Sequence, residues 1–175
     1  MHPSISRFPS VEFYSGMLRN GAYVKSSTYR QPYHCDDRNR FGPLTFLDTT
    51  HCREAIEDRS RGTSIFNAGE AEIVRAALVS IIRLHPDVEI SGNIAVLTPY
   101  RRQMSEIRKR IRNDPLLSKI DVEVNTVDGI QGREKEIVIL STVRSGSVSS
   151  GIGFVKDERR LNVALTRSRH ALLVV

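Results

Sequence analysis

The sequence predicts an α/β domain with a mostly parallel sheet flanked by helices. Three observations carry that expectation. Asn93–Thr98, Glu136–Ser141 and Ala171–Val175 are short runs that are apolar nearly throughout, as strands buried on both faces are. Segments with apolar residues at helical spacing lie between them. At 175 residues, the chain is long enough to bury one sizeable core.

Taken in order, residues 1–44 hold four of the seven prolines and a polar stretch, Ser26–Arg40. They read as loops with a short helix near Val11–Leu18. Leu44–Asp48 reads as a first strand and 49–63 as a polar loop. Asn67 is placed to cap a long helix, with Glu70 three residues on in a capping-box-like arrangement. Ala71, Val74, Leu78, Ile81 and Ile82 give that helix an apolar stripe, and Pro86 marks its end. A basic helix follows the Asn93–Thr98 strand, with Tyr100, Met104, Ile107 and Ile111 on its apolar face. Asp121–Val127 alternates into a strand, Glu136–Ser141 is the next, and Ser145–Gly153 is a Gly/Ser loop. Leu161–Ser168 reads as helical, with Arg160 and Arg167 on one side, and Ala171–Val175 as the last strand. The organisation is one domain over 1–175, with 1–63 an irregular entry segment and 64–175 the motif-bearing core.

Composition excludes several classes. Apolar residues make up 39% and charged residues 26%, which argues against a disordered chain. No apolar run approaches the ~18–20 residues of a membrane span, so no membrane partner is expected. Two cysteines cannot build a disulfide framework, and a reduced intracellular setting is the default. His34-Cys35 and His51-Cys52 could supply a Cys2His2 zinc site, but no Cys-x-x-Cys spacing supports one, and loop residues are the preferred reading. His2, His85 and His170 are isolated in the sequence and receive no role. No Gly-Lys pair occurs anywhere, so these residues hold no phosphate-cradling P-loop. Asp157-Glu158 lacks the apolar run that a Walker B acid pair follows.

The net charge of +6 is concentrated. Seven basic residues between Pro99 and Lys119 face only Glu106 and Asp114. That surface is either a solvated helix face or a contact for a phosphate backbone. The turn Asn125–Glu136 packs polar groups and two glycines between strands, which suits either a connection or a ligand site. Four arginines between Arg159 and Arg169 suit phosphate geometry or a solvated helix.

The ordered motifs Thr98-Pro99-Tyr100-x-x-Gln103, then Asn125-Thr126-Val127-Asp128-Gly129-Ile130-Gln131-Gly132-Arg133-Glu134-Lys135, then Arg159-Arg160-Leu161-Asn162-Val163-Ala164-Leu165-Thr166-Arg167-Ser168-Arg169 resemble motifs IV, V and VI of superfamily-1B helicases. Met1-His2-Pro3-x-Ile5-Ser6-x-Phe8-Pro9-Ser10 is similar to the opening of their second RecA-like domain, and Ser64-x-x-Asn67-x-x-Glu70-Ala71 to a helix start there. Phe41-Gly42-Pro43 and the Asn-Thr-Val-Asp-Gly form of motif V lean toward the senataxin-like branch over the nonsense-mediated-decay branch.

The resemblance implies a RecA-like three-layer domain, the second lobe of an ATP-dependent 5′-to-3′ helicase acting on RNA or RNA/DNA. It implies that Arg167 is the arginine finger that stabilises charge developing on the γ-phosphate. Gly132, Glu134 and Arg169 would lie at the ATP site. Pro99, Tyr100, Arg102 and Thr126 would face single-stranded RNA or DNA, and Gln103, Asp128 and Gln131 would couple the two. Its partner is a first RecA-like domain, in cis or in trans, bringing the P-loop lysine, the Mg²⁺-binding acids and the catalytic Glu. ATP with Mg²⁺ is thus shared between lobes, and the isolated chain is expected to be inactive. In that reading the chain starts within the family's Gln-x-Tyr-Arg-Met-His-Pro motif, and the face that packs on the first lobe leaves apolar surface exposed. A nuclear setting, or otherwise a cytoplasmic one, goes with the branch. A standalone nucleic-acid-binding module, or an inactive truncated helicase, remains the alternative.

Overall fold

A computed structural model describes residues 1–22, 24, 29, 31–34, 41–52, 56–58, 64–130, 132–144 and 153–175. Five strands form one sheet in the order β1-β7-β6-β4-β5, and every neighbouring pair is parallel. They are β1 (Leu44–Phe46), β4 (Ile94–Thr98), β5 (Val122–Thr126), β6 (Lys135–Leu140) and β7 (Ser168–Val174). A separate antiparallel pair joins β2 (Glu57–Asp58) to β3 (Phe66–Asn67). The helices among the described residues are α1 (Pro3–Tyr14), α2 (Ala68–Leu84), α3 (Arg101–Asn113) and α4 (Glu158–Leu165).

Apolar strands become intelligible from the two cores. Ile94, Val96, Ile137 and Ile139 face a cluster with Val74, Leu78 and Ile81 of α2 and with Ile107 and Ile111 of α3. Their neighbours Ala95, Leu97, Val138 and Leu140 point the other way, against Ile5 of α1, Ile130 and Ala164 of α4. Successive strand residues point to opposite faces, so helices on both sides require every position of β4 to be apolar or satisfied. The result is three layers, α2 and α3 over the sheet over α1 and α4.

Caps decide where the helices begin, and two differ from expectation. The helix placed at Val11–Leu18 runs instead over Pro3–Tyr14. His2 Nδ1 accepts from Ser4 N at 3.2 Å and Pro3 occupies the first turn, while Ser15 (φ 51°) and Gly16 (φ 75°) end it in left-handed backbone. The helix expected over Leu161–Ser168 starts earlier, because Asp157 accepts from Arg160 N at 3.1 Å. Arg167 therefore lies beyond α4, in the turn before β7, rather than on one helical side with Arg160. Asn67 does cap α2 through Glu70 N at 2.9 Å. The reciprocal half of the capping box is absent, since the Glu70 side chain turns into the core. Most of the loop expected over Ser145–Gly153 lies outside the described residues, as does most of Ser26–Arg40.

Candidate functional site

Two groups of candidate residues sit at opposite ends of the sheet. At the C-terminal end, Thr98 and Thr126 are register partners and Val127 N donates to Thr98 O at 3.2 Å. Pro99 and Tyr100 follow β4 directly, both half-buried, and Thr98 Oγ1 accepts from Tyr100 N at 3.4 Å. Gly153 (φ 57°) closes on them. A Cβ there would lie 2.9 Å from the Tyr100 hydroxyl oxygen and 3.1 Å from Arg144 Nε, so only glycine allows this approach.

At the N-terminal end, Gly132 and Glu134 precede β6 and are exposed, and Arg167 immediately precedes β7. Lys135 N donates to Arg167 O at 2.9 Å, which fixes the two approaches side by side. Gly132 has φ 81°, and a Cβ built there meets nothing within 4 Å. The Arg167 guanidinium donates to Val163 O at 2.9 Å, to Arg133 O at 3.3 Å and to Thr166 Oγ1 at 3.1 Å. Carbonyls and a hydroxyl orient it without neutralising it, and it makes no ion pair among the described residues. Arg169, by contrast, pairs with Glu136 at 3.1 Å.

The two ends are roughly 17 Å apart, the length of a five-residue strand. The segment 127–134 spans them. Gly129 N donates to Thr126 Oγ1 at 3.2 Å, and Asn125 Nδ2 donates to Gly129 O at 3.3 Å. A Cβ on Gly129 would fall 2.3 Å from Asn125 Oδ1. Asp128 accepts from Arg160 Nε at 2.9 Å and Nη2 at 2.7 Å, a bidentate pair, and the same guanidinium lies 5.2 Å from the Phe154 ring centroid. Asp128 thus ties the segment to α4, the helix that leads into Arg167. Gln131 lies outside the described residues.

Two candidates sit elsewhere. Arg102 turns toward the β2–β3 pair, with Asp58 at 3.8 Å and its guanidinium 4.0 Å from the Phe66 ring centroid. Gln103 is fully buried: Oε1 accepts from Asn67 N at 2.9 Å and Nε2 donates to Ser141 Oγ at 3.0 Å. Ser141 Oγ donates to Glu70 at 2.7 Å, and Val143 N donates to both Glu70 carboxylate oxygens at 3.0 and 2.9 Å. Val143 is a non-glycine residue at φ 72°. The Glu70 carboxylate holds that unfavourable backbone, which turns the chain at the C-terminal end of β6. Burial pushes the Glu70 carboxyl up to about 7, against hydrogen bonds from Val143, Ser141 and Thr142 that pull it down.

Sequence reading missed Glu70 as a site-shaping group, and its helical spacing alone could not reveal it. It also missed that His2 and His170 converge. Tyr29 stacks on His170 at 4.1 Å, the His2 and His34 rings meet edge-on at 5.5 Å, and His170 Nε2 lies 2.7 Å from Glu136. Burial lowers the pKa of both His2 and His170, and for His170 Glu136 opposes that shift. The His34 nitrogens meet Gln31 N and His170 O, which leaves them committed to the fold rather than to zinc. Cys35 lies outside the described residues. No group of three or more His, Cys, Asp or Glu among the described residues is arranged to hold a metal ion.

A family model described as an AAA domain, AAA_12, matches residues 1–175. Over its whole length the chain is 39% identical to helicase sen1 of Schizosaccharomyces pombe, covering 10% of that protein. It is 35% identical to probable helicase MAGATAMA 3 of Arabidopsis thaliana, covering 21%. It is 39% identical to ATP-dependent helicase upf1 of Schizosaccharomyces pombe, covering 18%. The chain therefore spans about a fifth or less of the length of these three relatives.

Proposed function

The chain belongs to the AAA_12 family, the C-terminal part of Sen1- and Upf1-type superfamily-1B helicases, and from that premise we propose that it is the second lobe of an ATP-dependent 5′-to-3′ helicase. Arg167 carries the reading. It is a cation without a carboxylate partner among the described residues, held by three acceptors beside the open glycine Gly132 and exposed Glu134. Such a group suits charge that develops on a transferred phosphoryl oxygen, because its orientation is set before the charge appears.

In this reading Glu134 takes the nucleotide sugar and Gly132 permits close approach of the backbone. Arg169 lies at the same edge. Pro99, Tyr100 and Thr126 contact the single strand of RNA or DNA, mainly along its backbone. Asp128, through Arg160, transmits movement of one end to the other, with Gln131 on the same segment, and Gln103 couples through its bonds to Asn67 and Ser141. Mg²⁺ neutralises phosphate charge when bound, and its ligands belong to the first lobe. Arg167 itself offers the donor to an anion, held in place by its three acceptors. Among the described residues no helix is long and apolar enough to cross a membrane, and the expected setting is nuclear, or otherwise cytoplasmic.

The test pairs this chain with a separately purified first RecA-like lobe. The chain alone is expected to show no ATP turnover, and the pair to show turnover stimulated by single-stranded RNA. Arg167→Ala should cut that turnover about 10³-fold with folding unchanged by circular dichroism. Turnover by the chain alone, or full turnover of the pair with Arg167→Ala, overturns the reading. Single-strand binding that ignores the first lobe, without turnover, would support the standalone binding module instead.

A further inference from the structure

The strand β5 is an outer strand of the sheet, bonded to β4 on one side. A groove of about 400 Å³ runs along its other side. Arginines flank it from both layers of the domain. Arg108 and Arg112 come from α3 on one face, and Arg133 comes from the 127–134 segment on the other. Glu123 is the carboxylate of the lining, and it is already committed to Arg133 at 2.8 Å and Lys135 at 3.3 Å. Arg112 is exposed and makes no ion pair among the described residues. Arg108 Nη2 donates to Val124 O at 2.6 Å, and a guanidinium has further N–H groups to offer.

Elsewhere on the same helix part of the charge is paired, while Arg101 and Lys109 are exposed. Arg110 pairs with Glu106 and Glu72, and Arg102 with Asp58. Two of the helix's arginines without a carboxylate partner among the described residues, Arg108 and Arg112, line the β5 edge. Asn125 lines the groove, and the next residue, Thr126, stands at the C-terminal end of the sheet with Pro99 and Tyr100. From Thr126 to Val122 the groove extends about 13 Å at strand rise.

We propose that this edge groove carries a second stretch of the single-strand path, taking the phosphodiester backbone as it leaves the C-terminal end of the sheet. The proposal rests on the nucleic-acid reading above and adds a place and a set of residues to it. Arg112 and Arg108 supply the phosphate contacts, and Arg133, bound to Glu123, forms the other wall of the groove. Recognition is by backbone charge, so it is blind to sequence and strongly dependent on salt.

The experiment is fluorescence anisotropy of the 175-residue chain with labelled oligouridylates of about 5 and about 16 nucleotides. It is run between about 50 and 200 mM salt. The wild-type chain should bind the longer oligonucleotide with the steeper salt dependence. Arg112→Ala should weaken the longer oligonucleotide severalfold, Arg112→Glu more, and both should leave the shorter one unchanged. Each lost phosphate contact should lower the slope of log K against log salt by about 0.7. Arg83→Ala, on the exposed last turn of α2, is the charge-matched control and should change nothing. Arg108→Lys tests the rival role of Arg108 as a guard against edge-to-edge pairing. Retained slope with retained solubility keeps it in the groove, while lost solubility with an unchanged slope removes it. If Arg112→Glu binds both lengths as wild type does, the groove is overturned and the nucleic-acid reading stands. If the wild-type chain binds neither length, both fall.

Discussion

Glu70 shows what one residue does when its partners are remote. It sits on the first turn of α2, where an exposed acid would merely favour the helix dipole. Here it is 2% exposed and accepts from Ser141 and Val143, 71 and 73 residues away. Its carboxyl titrates near 7 in the native state and near 4.5 when unfolded. Between those values the native state keeps a proton that the unfolded state has lost, so this group lowers stability as pH rises from 4.5 toward 7. The shift corresponds to about 3 kcal/mol across that window. Glu70→Gln should flatten this component, measured as the difference in urea midpoints at pH 5 and pH 8. His2 and His170, with lowered pKa values, act with the opposite sign below 6.5, so the variant must be compared with wild type at each pH. Gly129 offers a second test at this scale. Gly129→Ala should cost about 1–3 kcal/mol by breaking the Asn125 hydrogen bonds, and clearly less in an Asn125→Ala background, a coupling that a double-mutant cycle reads.

Among the elements, the segment 127–134 and α4 belong together. Asp157 caps α4, Asp128 grips Arg160 on its first turn, and the helix ends at the turn that presents Arg167. Asp157→Ala should destabilise the domain by about 1 kcal/mol in urea denaturation, since an N-cap is lost. Asp128→Ala should cost less than about 1 kcal/mol, because the pair is surface-exposed. Its larger effect is expected in the two-lobe assay, as a loss of RNA stimulation with basal turnover retained. Equal stimulation in Asp128→Ala would remove the coupling role assigned to this segment.

For the molecule as a whole, the apolar surface is unevenly covered. Phe8 and Val11 of α1 and Leu44 and Phe46 of β1 are exposed together, and β1 is an outer strand on the side opposite β5. The two open edges are treated differently. The β5 edge is lined with arginines, and the β1 edge is apolar. An apolar edge invites pairing between copies. Phe46→Lys should therefore shift the chain toward monomer in sedimentation velocity at high concentration, with no loss of thermal stability. A wild-type chain that is monomeric throughout would refute this expectation.

The sequence by itself determined the layered α/β architecture and the family. Those signals are local. Unbroken apolar runs specify strands buried on both faces, helical spacing specifies α2 and α3, and three long motifs in order specify the helicase lobe. Tertiary structure alone decided which charges remain available. Arg102, Arg108, Arg110 and Arg112 look alike in sequence, yet Arg110 and Arg102 are paired with acids from other elements while Arg112 is not. It also decided that Gln103 is a buried brace, that Arg167 follows α4 rather than lying on it, and that histidines over a hundred residues apart converge at His170. Periodicity encodes which face of an element is buried. The identity of a side chain's partner depends on the register of distant strands, and no local pattern carries that information.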